Sequence, residues 1–187
     1  MTTVFVSGSR HITRLNPLIR QRLQNITAQR LRIVVGDANG ADKAFQAFFK
    51  EEGYKLVTVY CAGPHCRNNL GGWEIVRVEV ASHLKGRDFY VQKDIAMAGI
   101  ADYGLVLWDG KSAGSIGNIF ELARQSKPTR VYFAPLKEFI EIRTIAEAQG
   151  LLKKCAPADV SAISKKLKIP KLGLSTEEDG QQIALAI

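Results

Sequence analysis

The sequence predicts an α/β fold: a parallel, doubly wound sheet flanked by helices, with a helical extension at the C-terminus. Two observations predict it. Short apolar, β-prone runs alternate with segments of helical period, the pattern of strand–helix–strand units that cross over a parallel sheet. Three loops expected at C-terminal strand ends, residues 8–10, 36–42 and 109–115, carry glycine with small polar or charged residues. That edge is where such sheets take ligands.

Residues 3–7 (TVFVS) read as a buried strand that runs into the small, basic turn Gly8-Ser9-Arg10. A helix follows over residues 16–29, with Pro17 at its first position and Leu18, Leu23 and Ile26 inward. Residues 31–35 form the second strand. Its loop holds Gly36, Asp37, Gly40 and Asp42 and opens a helix over residues 41–51, which Gly53 stops. Residues 55–60 are a third strand. Residues 61–83 are the least regular part, read either as a lid over the ligand edge or as a surface excursion, with a short edge strand at 74–80.

A helix is expected over residues 86–101 with Phe89, Ile95 and Met97 facing in; Arg87 and Lys93 on it are within reach of a phosphate, or belong to a solvated charged face. Residues 103–108 (YGLVLW) are a strand buried on both faces. The next loop starts at Asp109, and residues 116–126 place Ile119, Phe120, Leu122 and Ala123 at helical spacing. Gly110, Gly114 and Gly117 let a ligand approach the backbone, and the free N–H groups of a helix start suit an anion. A plain strand–loop–helix joint is the alternative. None of the loops matches G-x-G-x-x-G or a P-loop.

Residues 129–134 read as the last core strand and residues 139–152 as a helix leading out of the core. Beyond residue 153 lysines increase, Pro157 and Pro170 interrupt, and residues 160–167 and 178–186 make two weak helical patterns. The division expected is one domain over residues 1–142 and a helical extension over 143–187, acting as a cap or a dimerisation arm. There is no clear helix-turn-helix pattern.

The chain has 187 residues, 46% hydrophobic and 24% charged, the composition of an ordinary globular protein. No apolar run is long enough to span a membrane, and MTTVFVSGSR enters a strand with no visible signal peptide. The net charge of +8 favours anionic partners: nucleotides, phosphosugars or nucleic acid. The basic residues are scattered, so charge alone argues weakly for nucleic acid. Cys61, Cys66 and Cys155 are an odd count, read as reduced thiols in a cytoplasmic protein. His65 with Cys61 and Cys66 lacks a fourth ligand, so no metal is expected, nor any cofactor.

Three stretches, VFVSGSR at residues 4–10, VVGDANGADKAFQ at 34–46 and ADYGLVLWDGKSAGSIGNIFELARQSKP at 101–128, resemble the SLOG superfamily. Its members include the Lonely Guy (LOG) hydrolases and the Rossmann domain of DNA-processing protein A. The GxxxGAD second loop and the WDGxSxG loop look most like its YpsA-like branch. The resemblance spans roughly residues 1–143 and leaves the extension unexplained. It implies a Rossmann-like sheet that binds a nucleotide or nucleotide-derived molecule, with a homo-oligomer expected. By position, Gly8, Ser9 and Arg10 would line the base or sugar side. Gly36, Asp37, Gly40 and Asp42 would form a second wall. Gly110, Ser112, Gly114 and Ser115 would hold phosphate, Ser115 standing where LOG enzymes have a Thr.

LOG enzymes use a Glu in that motif and an Arg on the preceding helix. The matching positions here hold Asn118 and Lys93. An amide neither stabilises an oxocarbenium ion by charge nor accepts a proton near neutral pH. Glu121, one turn on, is expected to face solvent or pair locally. Three functions remain. One is binding of a nucleotide derivative, as sensor or carrier. The second is N-glycosidic cleavage of a nucleoside or nucleotide with Asp37 or Asp109 as the catalytic carboxylate. The third is nucleic-acid binding.

Overall fold

The structure, a computed structural model, describes residues 1–167. Seven strands form one sheet: β1 (Thr3–Gly8), β2 (Arg32–Gly36), β3 (Val57–Ala62), β4 (Glu74–Val78), β5 (Tyr103–Trp108), β6 (Thr129–Phe133) and β7 (Glu138–Ile142). Their spatial order is β4-β3-β2-β1-β5-β6-β7; all neighbours are parallel except β6 and β7. The helices are α1 (Pro17–Ala28), α2 (Ala41–Glu51), α3 (Gly86–Ile100), α4 (Ala113–Arg124), α5 (Ile145–Leu152) and α6 (Pro157–Leu167). The fold is α/β and Rossmann-like, as the alternation of strands and helices predicts. Among the described residues no helix is long and apolar enough to cross a membrane.

Alternation within the strands sorts the core into two layers. On one face Val4, Val6, Ile33, Val35, Leu105 and Leu107 pack against Ile19 and Leu23 of α1 and Phe45, Phe48 and Phe49 of α2. On the other face Phe5, Val34, Val106, Trp108 and Phe133 meet Met97 of α3, Ile116 and Ile119 of α4, Leu151 of α5 and Ile163 of α6. The last two helices therefore share the core of the sheet and rest on α4.

Local chemistry sets the helix starts. Asn16 caps α1, its Oδ1 accepting from the Ile19 N–H at 3.0 Å, and Pro17 follows where no N–H is needed. Thr144 and Glu147 form a reciprocal capping box on α5. Ser112 caps α4, so that helix opens at Ala113, three residues ahead of the expected 116, and Gly114 falls in its first turn.

The structure departs from the sequence reading in four places. The helix expected over 139–152 is split: Glu138–Ile142 is a strand antiparallel to β6, and the helix begins at Ile145. A tight turn closed by Leu136 and Lys137 N–H bonds to Phe133 and Ala134 carbonyls makes this hairpin possible, so β6 is not the last core strand. Leu18 and Ile95 are exposed, not inward; Leu23, Ile26 and Met97 are buried as expected, and on α1 it is Ile19, four and seven residues before Leu23 and Ile26, that shares their face. Cys61 and Cys66 form a disulfide where reduced thiols were expected; the loop after β3 turns back and sets their Cα atoms 5.2 Å apart, within bridging range. Cys155 alone is a free thiol. The helical pattern at 178–186 lies outside the described residues.

Candidate functional site

The chain reverses direction across the sheet between β1 and β5: the first crossovers lead from β1 towards β4, the later ones from β5 towards β7. A crevice opens beyond the carboxyl ends of strands at such a point. Here it is a cavity of about 600 Å³.

Nine of the expected ligand residues line it: Gly8, Arg10, Asp42, Lys93, Asp109, Ser112, Gly114, Ser115 and Asn118. Five do not. Ser9 lies beneath, fully buried; its hydroxyl accepts from the Asp109 N–H at 3.2 Å and meets the Ser115 hydroxyl at 3.2 Å, which in turn bonds Ser112 Oγ at 3.1 Å. This chain of hydroxyls ties the turn after β1 to the start of α4. Gly36 is held by packing, since a Cβ there would stand 2.6 Å from Lys93 Nζ. Gly40 has φ +85° and its Cα faces the Arg10 backbone, with no room for a side chain. Gly110 turns the loop beside Pro135.

The fifth is Asp37, 1% exposed and taken by Arg67. Arg67 Nε donates to its Oδ2 at 2.9 Å and Nη2 to Oδ1 at 2.6 Å, while the Arg67 backbone N–H adds a third bond at 3.0 Å. Burial raises the Asp37 carboxyl, but these bonds and the nearby cation hold it below the usual range. Asp37 is thus a structural anion, poorly placed for acid–base work. The Cys61 and Cys66 sulfurs lie within 4.8 Å of that carboxylate, but they are bonded to each other.

The floor of the cavity is a buried charge cluster. Lys93 is 4% exposed and its Nζ meets Asp94 Oδ1 at 2.6 Å. Burial opposes its charge, yet the Asp94 and Asp42 carboxylates keep the ammonium above its ordinary range. Burial pushes Asp42 up to about 6 against the pull of Lys93; its Oδ2 also accepts from the Ala38 N–H at 3.2 Å. Asp109 lies at the rim, where its Oδ1 accepts from the Lys111 and Ser112 N–H groups at 3.0 and 2.7 Å. Asn118 donates to Ser7 Oγ at 3.2 Å. Glu121 is out of the cavity and pairs with Arg124.

The start of α4 opens on the cavity. Its first N–H groups have no intrahelical partner, and Gly114 presents bare backbone: a Cβ there would meet only Ser112 Oγ, at 3.9 Å. Arg10, Arg67, Arg87, Lys111 and Lys166 also line the cavity. Arg67 and Tyr90 were not singled out from the sequence as ligand residues; the guanidinium lies 4.4 Å over the Tyr90 ring. The segment 61–83 therefore does reach the site, through Arg67. Lys166 comes from α6, in the expected extension. Only the cluster of turn residues around Arg67 hinted that this loop folds inward.

No protein-family model and no curated protein matches the chain. Among solved structures it is similar to DNA processing protein A from Helicobacter pylori, described for its mode of single-stranded DNA binding. The TM-score is 0.56 at 16% identity, over 89% of this chain and 80% of that one. At that identity the likeness concerns the fold.

Proposed function

We propose that the cavity binds a nucleotide or nucleotide-derived molecule through its phosphate, in a Rossmann-like domain of the SLOG type. The observation that carries this reading is Gly114: a bare glycine in the first turn of α4, with open space before it, inside a cavity bordered by arginine and lysine. A helix gains nothing from glycine there, whereas a phosphate needs the close approach. The phosphate sits over Gly114 and Ser115, and Asn118 and Asp109 stand beside the sugar.

The site is read as binding without LOG-type turnover. Asn118 carries no charge, and Asp37 is committed to Arg67. Asp109 is then the one carboxylate of the expected catalytic pair at the cavity, and its Oδ1 is engaged by two backbone N–H groups. Nucleoside monophosphates should raise the melting temperature while chromatography detects little free base. Gly114→Val should lower nucleotide affinity at least tenfold in a folded protein. Unchanged affinity would remove the phosphate loop from the proposal, and steady base release would remove the claim of binding without turnover.

A second reading is single-stranded nucleic acid. It is supported by the net charge of +8 and by the fold shared with a protein described as binding single-stranded DNA. Its mark is affinity for an oligonucleotide that falls steeply with salt and that a mononucleotide does not displace.

A further inference from the structure

Arg67 offers the cavity a plane more than a charge. Its Nε–Nη2 edge is turned into the buried Asp37 carboxylate by two bonds, and that carboxylate balances the cation. One face of the guanidinium lies 4.4 Å over the Tyr90 ring. What remains of the group is its second face and Nη1, which has no hydrogen-bond partner among the described residues. The side chain is 32% exposed and lines the cavity, as does Tyr90.

The plane is also held still. Asp37 fixes the guanidinium within its own plane, and the Arg67 backbone N–H donates to the same carboxylate at 3.0 Å. Tyr90 supports it from below and is itself braced edge-on by Phe89, the ring centroids 5.2 Å apart. A flat group that stacks there costs no further ordering of the arginine. Guanidinium planes and aromatic rings are stacking partners of nucleobases.

The placement suits a nucleotide. Asp37 follows β2, so the plane stands at the carboxyl end of that strand, whereas α4 starts after β5. β1 lies between β5 and β2, which puts two strand spacings, about 10 Å, between the two features. A sugar bridges a phosphate and a base over that scale. The cavity of about 600 Å³ is of the size that holds small ligands.

We propose that the stacked Arg67–Tyr90 pair is the base platform of this site. The planar heterocyclic base of a nucleotide lies on the open face of the Arg67 guanidinium, with its phosphate at the start of α4. The ligand class is then a nucleotide with an intact base, and sugar phosphates are poor ligands. This rests on the reading of the cavity as a phosphate site.

The test is calorimetric titration of the full chain with the four common ribonucleoside 5′-monophosphates and with ribose 5-phosphate, which lacks only the base. The wild type should bind all four nucleotides more tightly than ribose 5-phosphate, the two purine nucleotides at least tenfold. Arg67→Lys keeps a cation opposite Asp37 but has no plane. It should lower purine nucleotide affinity about tenfold and ribose 5-phosphate affinity less than twofold. Tyr90→Leu leaves the ion pair and removes the supporting ring, and should show the same base-selective loss at a smaller size. Melting curves verify the fold of each variant; if Arg67→Lys does not fold, Tyr90→Leu decides, and if neither folds, the wild-type comparison decides. A wild type that binds ribose 5-phosphate as tightly as the nucleotides, or losses equal for both kinds of ligand in folded variants, overturns the base platform and leaves the phosphate reading standing. Failure of every one of these ligands to bind the wild type, or binding indifferent to Gly114→Val, overturns the cavity reading and this inference with it.

Discussion

Arg67 holds Asp37 by two parallel bonds, Nε to Oδ2 at 2.9 Å and Nη2 to Oδ1 at 2.6 Å, and the same guanidinium rests on Tyr90. One side chain thus joins the loops after β2 and β3 to α3, and it fixes the wall of the cavity between them. Asn68 reinforces the join, its Nδ2 donating to the Asp37 carbonyl at 2.7 Å.

Removing the cation should therefore destabilise the fold as well as the site. Arg67→Ala leaves the Asp37 carboxylate buried without its partner. The expected loss is about 2–4 kcal/mol, below the top of the range for a fully enclosed pair because the Arg67 side chain is 32% exposed. Urea unfolding measures it. A loss below about 0.5 kcal/mol would show that water replaces the guanidinium freely, and that the pair does not shape the cavity.

Gly114→Ala separates stability from binding. The methyl group meets open space, and alanine is the better helix former, so thermal unfolding should show a gain of about 0.5–1 kcal/mol. Nucleotide or phosphate binding should weaken in the same protein. A variant both more stable and fully competent would mean that the glycine serves no ligand.

Ile163 tests whether the extension belongs to the core. It is fully buried beside α4 and α5, so Ile163→Ala should cost about 2–4 kcal/mol. The unfolding transition should stay single, as expected when α6 and the sheet melt together. A separate early transition that absorbs the whole effect would show that α6 detaches independently.

Asp42 sets a pH dependence of definite sign. Burial pushes its native carboxyl up to about 6, while in the unfolded chain it titrates near 4. Between about pH 4 and pH 6 the native state binds the extra proton, so this contribution to stability falls as pH rises through that window and is level above it. The total is roughly 3 kcal/mol for a shift of about two units. Asp37, held low by Arg67, works in the opposite direction and only below about pH 4. The difference in unfolding free energy between wild type and Asp42→Asn, followed from pH 4 to 7, should show the fall. Parallel profiles would mean that Asp42 titrates as an ordinary carboxyl.

The layered α/β architecture was legible in the sequence because it follows from local properties: β-prone apolar runs, helical period, Pro17 at a helix start, and the stop at Gly53. The gathering of the loops at 8–10, 36–42 and 109–115 on one edge was legible too, since chain direction alone puts them at one end of a parallel sheet. What each loop does there was decided by tertiary structure. Strand order sets β1 beside β5, so Gly8 and Gly114 share a cavity while Ser9 drops beneath it as a tie. Asp37 looked like a free carboxylate until a residue 30 positions away closed on it. The short run EFIEI has apolar spacing that suits a helix or a strand, and pairing with β6 chose the strand. Arg67, Arg87 and Lys166 reach the site from an irregular loop, the start of a helix and the extension. Arg87 was already a candidate from its place on a helix, but no local pattern marks Arg67 or Lys166, because burial, ion pairing and the shape of a cavity are energies between residues distant in the chain, and they exist only once the sheet has set the distances.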